Sequence, residues 1–123
     1  MTITTALRTK AAQTHTNLIT TTIKAHNAIM QVGLIPMSAG ETTLLLTINN
    51  KDELNIRERS QKEVQHDALV NAYSIISGKM HHFPRAVANN IAKGDAEAIQ
   101  NLIKGAEDVI THTNDTINAL TRN

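Results

Sequence analysis

The chain of 123 residues contains no cysteine, and this absence excludes two classes of protein. Without cysteine there is neither a disulfide-stapled scaffold nor a zinc site built on thiolates. No apolar run approaches the ~20 residues that a membrane-spanning helix requires. The first residues, Met1 to Arg8, also lack the basic segment and the long apolar core of a secretory signal. We therefore expect a soluble, cytoplasmic protein with no membrane association.

Aromatic residues are almost as scarce. Tyr73 and Phe83 are the only two, and there is no tryptophan. The core must therefore be built from Ile, Leu, Val, Met and Ala, and small aliphatic side chains suit helices whose axes approach closely. An antiparallel sandwich is disfavoured, because aromatic and β-branched residues are the ones that favour a pleated surface. The same scarcity leaves few platforms on which nucleic-acid bases could stack.

The segment from Asp95 to Leu120 carries the strongest helical pattern in the chain. Its apolar residues recur at offsets of three and four, which places them on one face of a helix, and Thr113 fills the only gap. Such a helix must bury its stripe against another element. The stripe consists of Ile99, Leu102, Ile103, Ala106, Val109, Ile110, Ile117 and Leu120.

The first segment, from Thr2 to about Val32, has a similar period but a poorer apolar face. Its stripe is diluted by threonine, a mediocre helix former because its branched Cβ loses χ1 freedom. We predict a long helix that Gly33 and Pro36 bring to an end. The apolar positions are Ile3, Leu7, Ala11, Leu18, Ile19, Ile23, Ala25 and Ile29.

Residues 34–57 allow two interpretations. The run from Thr42 to Ile48 is short, apolar and β-branched, and the Asn-Asn-Lys-Asp after it is typical of a turn, so together they predict a hairpin. Two pairs of residues have instead the spacing of capping boxes that begin helices, Ser38 with Glu41 and Asn50 with Glu53. We favour a short β-hairpin or an extended loop over residues 41–57, because three threonines and a pair of asparagines argue against a helix.

Two further helices are predicted before Gly94. The first runs from about Glu58 to Ser77 and ends at Gly78, which is well placed as a C-terminal cap. A linker over residues 79–83 then leads to Pro84, a favourable first helical residue. The short helix that begins there ends at Lys93, close to the start of the last helix.

The predicted fold is mainly α, a small bundle of about four helices of which the first and the last are long. Gly94 ends the third helix and Asp95 caps the fourth. Residues 1–123 form a single helical domain, because a chain of this length can hold its own core. The two long helices would pack as an antiparallel pair, or part of the last stripe would contact another subunit.

Residues 78–93 form a basic window that contains no acidic residue. Its side chains could contact a small anion or a phosphate backbone, helped by the N-terminus of the helix at Pro84. Three cations are far fewer than most nucleic-acid surfaces use, so a solvated basic stretch is the favoured interpretation. The candidate nucleic-acid-binding residues are Lys79, His81, His82, Arg85 and Lys93.

Catalytic and metal-binding patterns are missing from the sequence. Glu63 and His66 have the Glu-x-x-His spacing of di-metal bundles, but those need a second such pair and two further glutamates, so an exposed surface pair is favoured. His15 and His26 lie eleven residues apart, too far along a helix axis to bind one ion. No nucleophile elbow and no phosphate-binding glycine loop is present. We predict no catalytic residue, no metal site and no cofactor.

Two functions are compatible with these patterns. The leading prediction is a non-enzymatic protein-interaction or assembly subunit, a small helical accessory component of a larger complex. Its partner would be another protein or a second copy, since the long stripes favour helix-to-helix recognition. The alternative is a nucleic-acid-associated subunit that contacts the phosphate backbone through residues 78–93. No small-molecule substrate is indicated.

Overall fold

Helix dominates the described part of the chain. A computed structural model describes residues 3–32, 44–48, 54–58 and 61–121. The helices in these ranges are α1 (Thr5–Val32), α2 (Gln61–Lys93) and α3 (Ala96–Thr121), which confirms the mainly α prediction. In the same ranges, no helix has both the length and the apolar content that crossing a bilayer needs.

Two short strands lie along the chain between α1 and α2. They are β1 (Leu44–Ile48) and β2 (Leu54–Glu58). The strands pair antiparallel, with Leu44 opposite Glu58 and Ile48 opposite Leu54. Residues 41–43 and 49–53 of the segment left open by the sequence lie outside the described residues. The same holds for the predicted helix end at Gly33 and Pro36 and for both capping pairs.

Each of the three helices packs against the other two. α1 and α2 are antiparallel, as two ring contacts between them show. His15 stacks on Phe83, whereas His26, further along α1, packs on Tyr73, which comes earlier in α2. The contacts between α1 and α2 therefore extend over about three turns of each helix.

α1 and α3 run parallel, which corrects the expected antiparallel pair. Leu7, near the start of α1, lines a groove together with Ile103 in the first half of α3. Ala28 and Leu120, near the ends of the same two helices, share a core cluster. The cause lies in α2, which is long enough to return the chain to the starting end of α1 before α3 begins.

α3 supplies the centre of the core, as its periodicity predicts. Every residue of the predicted stripe is buried or half-buried, and Thr113 is buried with them. The Thr113 hydroxyl donates to the Val109 carbonyl at 2.8 Å, so its burial leaves no unpaired donor. Buried alanines on all three helices let the axes approach closely: Ala11, Ala25, Ala28, Ala72, Ala96 and Ala106.

α1 buries threonine where an apolar stripe was expected. Thr14, Thr21 and Thr22 are buried. The hydroxyls of Thr14 and Thr22 donate to the carbonyl four residues earlier, at 2.8 and 2.7 Å. A hydroxyl that is satisfied within its own helix costs little to bury. Ile19 and Ile23, which the sequence assigned to the buried stripe, are exposed instead.

α2 is a single helix of 33 residues, so the predicted break between Gly78 and Pro84 is wrong. A proline inside a helix removes the hydrogen bond to the carbonyl four residues earlier, which here belongs to Met80. His15 of α1 replaces that bond, because its Nε2 lies 3.2 Å from the Met80 oxygen and donates to it. With this partner α2 continues through the proline, and the described bundle has three helices in place of about four.

Gly94 and Asp95 form the predicted corner between α2 and α3. Gly94 has a φ of +71°, in the left-handed region. Its N–H donates to the Ile91 carbonyl and the Asp95 N–H donates to the Asn90 carbonyl, a pair of bonds that closes a helix C-terminus. The Asp95 Oδ1 accepts the Ala98 N–H at 3.0 Å and caps α3.

Replacing Gly94 with Ala is expected to destabilise the bundle by about 1 kcal/mol, because L side chains are strained in the left-handed region. The same change at Gly78 should stabilise it by about 0.5 to 1 kcal/mol, because Gly78 lies in mid-helix. A methyl group has open space at both positions, with nothing within 4 Å. Urea denaturation measures both effects, and equal values at the two positions would contradict the capping role of Gly94.

Candidate functional site

The predicted nucleic-acid-binding residues all lie on α2, in helical rather than linker conformation. His82, Arg85 and Lys93 are exposed, and their spacing of three and eight residues places them on one side of the helix. Lys79 is half-buried and lies against a glycine of α3. His81 lines a groove on the side of α1. The structure therefore leaves His82, Arg85 and Lys93 exposed on one side of α2, while Lys79 packs against α3 and His81 lies toward α1.

Two histidines of α1 pack on the two aromatic rings of α2. The ring centroids of His15 and Phe83 are 6.3 Å apart with an interplanar angle of 16°. Those of His26 and Tyr73 are 5.9 Å apart with an angle of 43°. His15 also donates to the Met80 carbonyl. The two histidines share the side of α1 that faces α2, and they follow the seam between the helices.

His66 is buried, which corrects the expected exposed pair with Glu63. The cause is its place one turn before the buried Leu69, on a neighbouring part of the same face. Its Nδ1 lies 3.9 Å from Oδ1 of Asp67, and among the described residues neither ring nitrogen has a hydrogen-bond partner. An unpaired buried group of this kind costs about 1 to 3 kcal/mol. No three potential metal ligands come together in the described ranges.

An apolar groove follows the seam between α1 and α2, and we call it the α1–α2 groove. One section has a volume of about 230 Å³ and lies over Phe83 and Val87. A second section of about 410 Å³ adjoins it, because His15 and Pro84 line both. Small and apolar side chains make up most of the remaining lining: Ala11, Ala12, Ile19, Met80, Ala88 and Ile91.

Exposed apolar side chains extend this groove along α1. Ile19, Ile23 and Met30 are 37%, 56% and 68% exposed. Ala12, His15 and His26 continue the same spacing of three or four residues. The six residues therefore form a row down one side of the helix. This groove row consists of Ala12, His15, Ile19, Ile23, His26 and Met30.

Sequence reasoning missed the groove row because offsets of three and four also fit the buried stripe of α1. Ile19 directly follows the buried Leu18, and Ile23 directly follows the buried Thr22. Successive helical residues are 100° apart, so two adjacent rows of this kind overlap in a sequence pattern. The signal that could separate them is the burial of Thr22, which only the packing of the three helices reveals.

Among the described residues that line the α1–α2 groove, no carboxylate is present. α1 contains Arg8, Lys10 and Lys24 and no carboxylate, and α2 contains no carboxylate after Asp67. Arg8 lines the groove itself, and the exposed Arg85 directly follows a lining residue on α2. The two charged side chains placed at the groove, Arg8 and Arg85, are therefore both positive.

The groove between α1 and α3 has a different character. It has a volume of about 400 Å³ and lies over Leu7 and Ile103. Glu107 lines it together with Lys10 and Lys104, so charges of both signs meet there. The contrast makes the α1–α2 groove the candidate site.

Comparison with known proteins identifies no relative: no family model, no curated protein and no solved structure matches this chain. Function is therefore inferred from the α1–α2 groove, the exposed side chains beside it and the charges around it.

Proposed function

We propose that this protein is a non-enzymatic interaction subunit that binds another protein through the α1–α2 groove. The observation that carries the proposal is the exposed row of α1, in which Ile19, Ile23 and Met30 lie beside an apolar groove. Single exposed apolar side chains are ordinary, but a contiguous row of them marks an interaction surface. A groove of this kind binds a partner helix through apolar anchors spaced by three or four residues.

The lining of the groove suits binding better than catalysis. The buried Phe83 and Val87 give it a well-packed floor, while Met30 and Met80 add side chains that adapt to a partner surface. His15 already donates to the Met80 carbonyl. Among the described lining residues there is no carboxylate, hydroxyl or thiol that could act with this imidazole as a base or nucleophile.

Two exposed isoleucines provide the test of this function. Ile23 belongs to the groove row. Ile75 has a similar exposure of 58%, but it lies nine residues before Pro84 in α2. Nine helical residues are two and a half turns, so Ile75 projects from the side of α2 opposite to Pro84. We expect the tagged wild-type chain, expressed in its own cells, to co-purify with a protein partner at a fixed ratio. Ile23→Glu should lower the recovered partner about tenfold, and Ile75→Glu should retain it.

Circular dichroism of both variants provides the folding control, since each substitution is at an exposed helical position. A partner that both folded variants retain equally, or that both lose equally, would contradict binding through the groove. Absence of any protein at a fixed ratio from the wild-type preparation would contradict the proposed function itself.

A nucleic-acid role is the second candidate, favoured by the exposed side of α2 that carries His82, Arg85 and Lys93. It predicts a gel shift with duplex nucleic acid that weakens steeply as the salt concentration rises. Replacing Arg85 and Lys93 together with Gln removes two phosphate contacts and should lower the salt slope by about 2. An unchanged slope, or no shift at low salt, would eliminate this candidate.

A further inference from the structure

We propose that the α1–α2 groove receives an acidic amphipathic helix of the partner protein. This inference rests on the proposed function and specifies the chemistry of the partner. Two observations carry it, the shape of the groove with its exposed row and the positive charge of Arg8 and Arg85 at its walls.

The groove matches a helix in length and in the spacing of its contacts. The groove row runs from Ala12 to Met30, which is about 27 Å along the axis at ~1.5 Å per residue. Ile19 and Ile23 are one turn apart, and Met30 follows two turns later, so an apolar stripe on a partner helix finds contacts at intervals of whole turns. Both walls are helices, and a third helix on their seam packs as in a helical bundle.

The charges around the groove favour an acidic partner. Arg8 lines the groove on α1, and the exposed Arg85 directly follows the lining residue Pro84 on α2. Among the described residues that line the groove there is no carboxylate to attract a basic partner. Complementary charge at the rim of an interface speeds association and suppresses wrong partners. A helix with Asp and Glu on both sides of its apolar stripe therefore meets opposite charge at Arg8 on one wall and at Arg85 on the other.

Two other occupants fit these observations less well. A second copy docked by twofold symmetry places the same patch against itself, so one interface would hold Arg8 and Arg85 of both copies with no carboxylate from the groove lining. A nucleic acid would lie against Ile19 and Ile23, although its phosphates need donors and cations rather than apolar side chains. Each of these occupants is an outcome of the test below.

The experiment uses a fluorescent helical peptide of about 20 residues, with leucine at heptad spacing and glutamate on the flanks of the stripe. A matched peptide carries lysine in place of every glutamate, and a labelled DNA duplex is the third probe. Fluorescence anisotropy at low and at high salt measures binding to the full chain. We expect the acidic peptide to bind at least about tenfold more tightly than the basic one, with a preference that falls as salt rises.

Variants of the chain locate the binding site. Ile23→Glu should weaken binding of the acidic peptide about tenfold, and Met30→Glu provides a second test at a more exposed position of the row. Ile75→Glu should leave the affinity within about twofold, because it lies on the opposite side of α2. The double variant Arg8→Gln with Arg85→Gln should reduce the preference for the acidic peptide about fivefold and leave the fold unchanged.

Several results would overturn the inference. They are binding of neither peptide, equal affinity for both, a preference for the basic peptide, or equal weakening by Ile23→Glu and Ile75→Glu. Binding of the DNA duplex but not of the acidic peptide would also overturn the inference. So would a wild-type dimer in light scattering that becomes a monomer in the Ile23→Glu variant. Co-purification tests the proposed function separately. A natural partner that is lost from Ile23→Glu but lacks an acidic helix would overturn only the inference.

Discussion

Replacing Ile99 with Ala is expected to destabilise the bundle by about 3 to 4 kcal/mol. Ile99 is fully buried, and it shares the larger core cluster with Leu18 of α1 and Ile76 of α2, so all three helices contribute to its surroundings. Truncation removes three carbon atoms from this cluster and leaves a cavity that the surrounding helices close only in part. Urea denaturation followed by circular dichroism measures the loss in the free energy of unfolding.

The matched control is Ile75→Ala in α2. It makes the same chemical change in mid-helix, but at a side chain that is 58% exposed. We expect a change within about 0.5 kcal/mol, since surface substitutions away from special features have small effects. A similar loss at Ile99 and Ile75 would contradict the assignment of α3 as the centre of the core.

Replacing Pro84 with Ala is expected to stabilise the bundle by about 1 to 2 kcal/mol. Proline in a helix interior is about 3 kcal/mol less favourable than alanine, and alanine restores an N–H that can donate to the Met80 carbonyl. Two effects reduce the gain: His15 already bonds that carbonyl, and proline restricts the unfolded chain. Thermal and urea unfolding of the variant measure the net change.

A double-mutant cycle between His15 and Pro84 isolates the role of the imidazole. His15→Phe preserves a ring against Phe83 but removes the donor, and it should cost about 1 kcal/mol in the wild type. In the Pro84→Ala background the carbonyl has its backbone partner, so the same change should cost clearly less. Equal costs in the two backgrounds would show that the His15 bond does not compensate for the proline.

The parts of the fold that follow from local rules could be predicted from the sequence. The stripe of α3 is recognised because eight apolar positions repeat with the helical period, and each of them is buried or half-buried in the structure. The corner at Gly94 and Asp95 follows from the chemistry of one residue each, a left-handed glycine and a capping carboxylate.

The parts that depend on distant contacts could not be predicted in this way. Gly78 and Pro84 are ordinary signals for a helix end and a helix start, yet α2 passes through both. The compensating group is His15, which is 65 residues from Met80 in the chain. The burial of His66 also depends on tertiary packing. The Glu-x-x-His spacing shows only that Glu63 and His66 share a helix face, and it does not show that this face is buried next to Leu69.

The candidate site lies across two helices, and neither helix reveals it alone. In α1 the exposed row overlaps the buried one, because the buried Leu18 and Thr22 directly precede the exposed Ile19 and Ile23. In α2 the groove wall includes Met80 and Pro84, which the sequence placed in a linker and at a helix start. Only the antiparallel packing of α1 on α2 brings these residues to one surface.

The most direct test of the groove as a docking surface is methyl NMR of the full chain with labelled isoleucine δ1 methyl groups. Titration with the acidic helical peptide should shift or broaden the signals of Ile19 and Ile23, which lie in the groove row. The signal of Ile75, equally exposed on the other side of α2, should stay unchanged. Perturbation of Ile75 with no change at Ile19 and Ile23 would contradict docking in the α1–α2 groove.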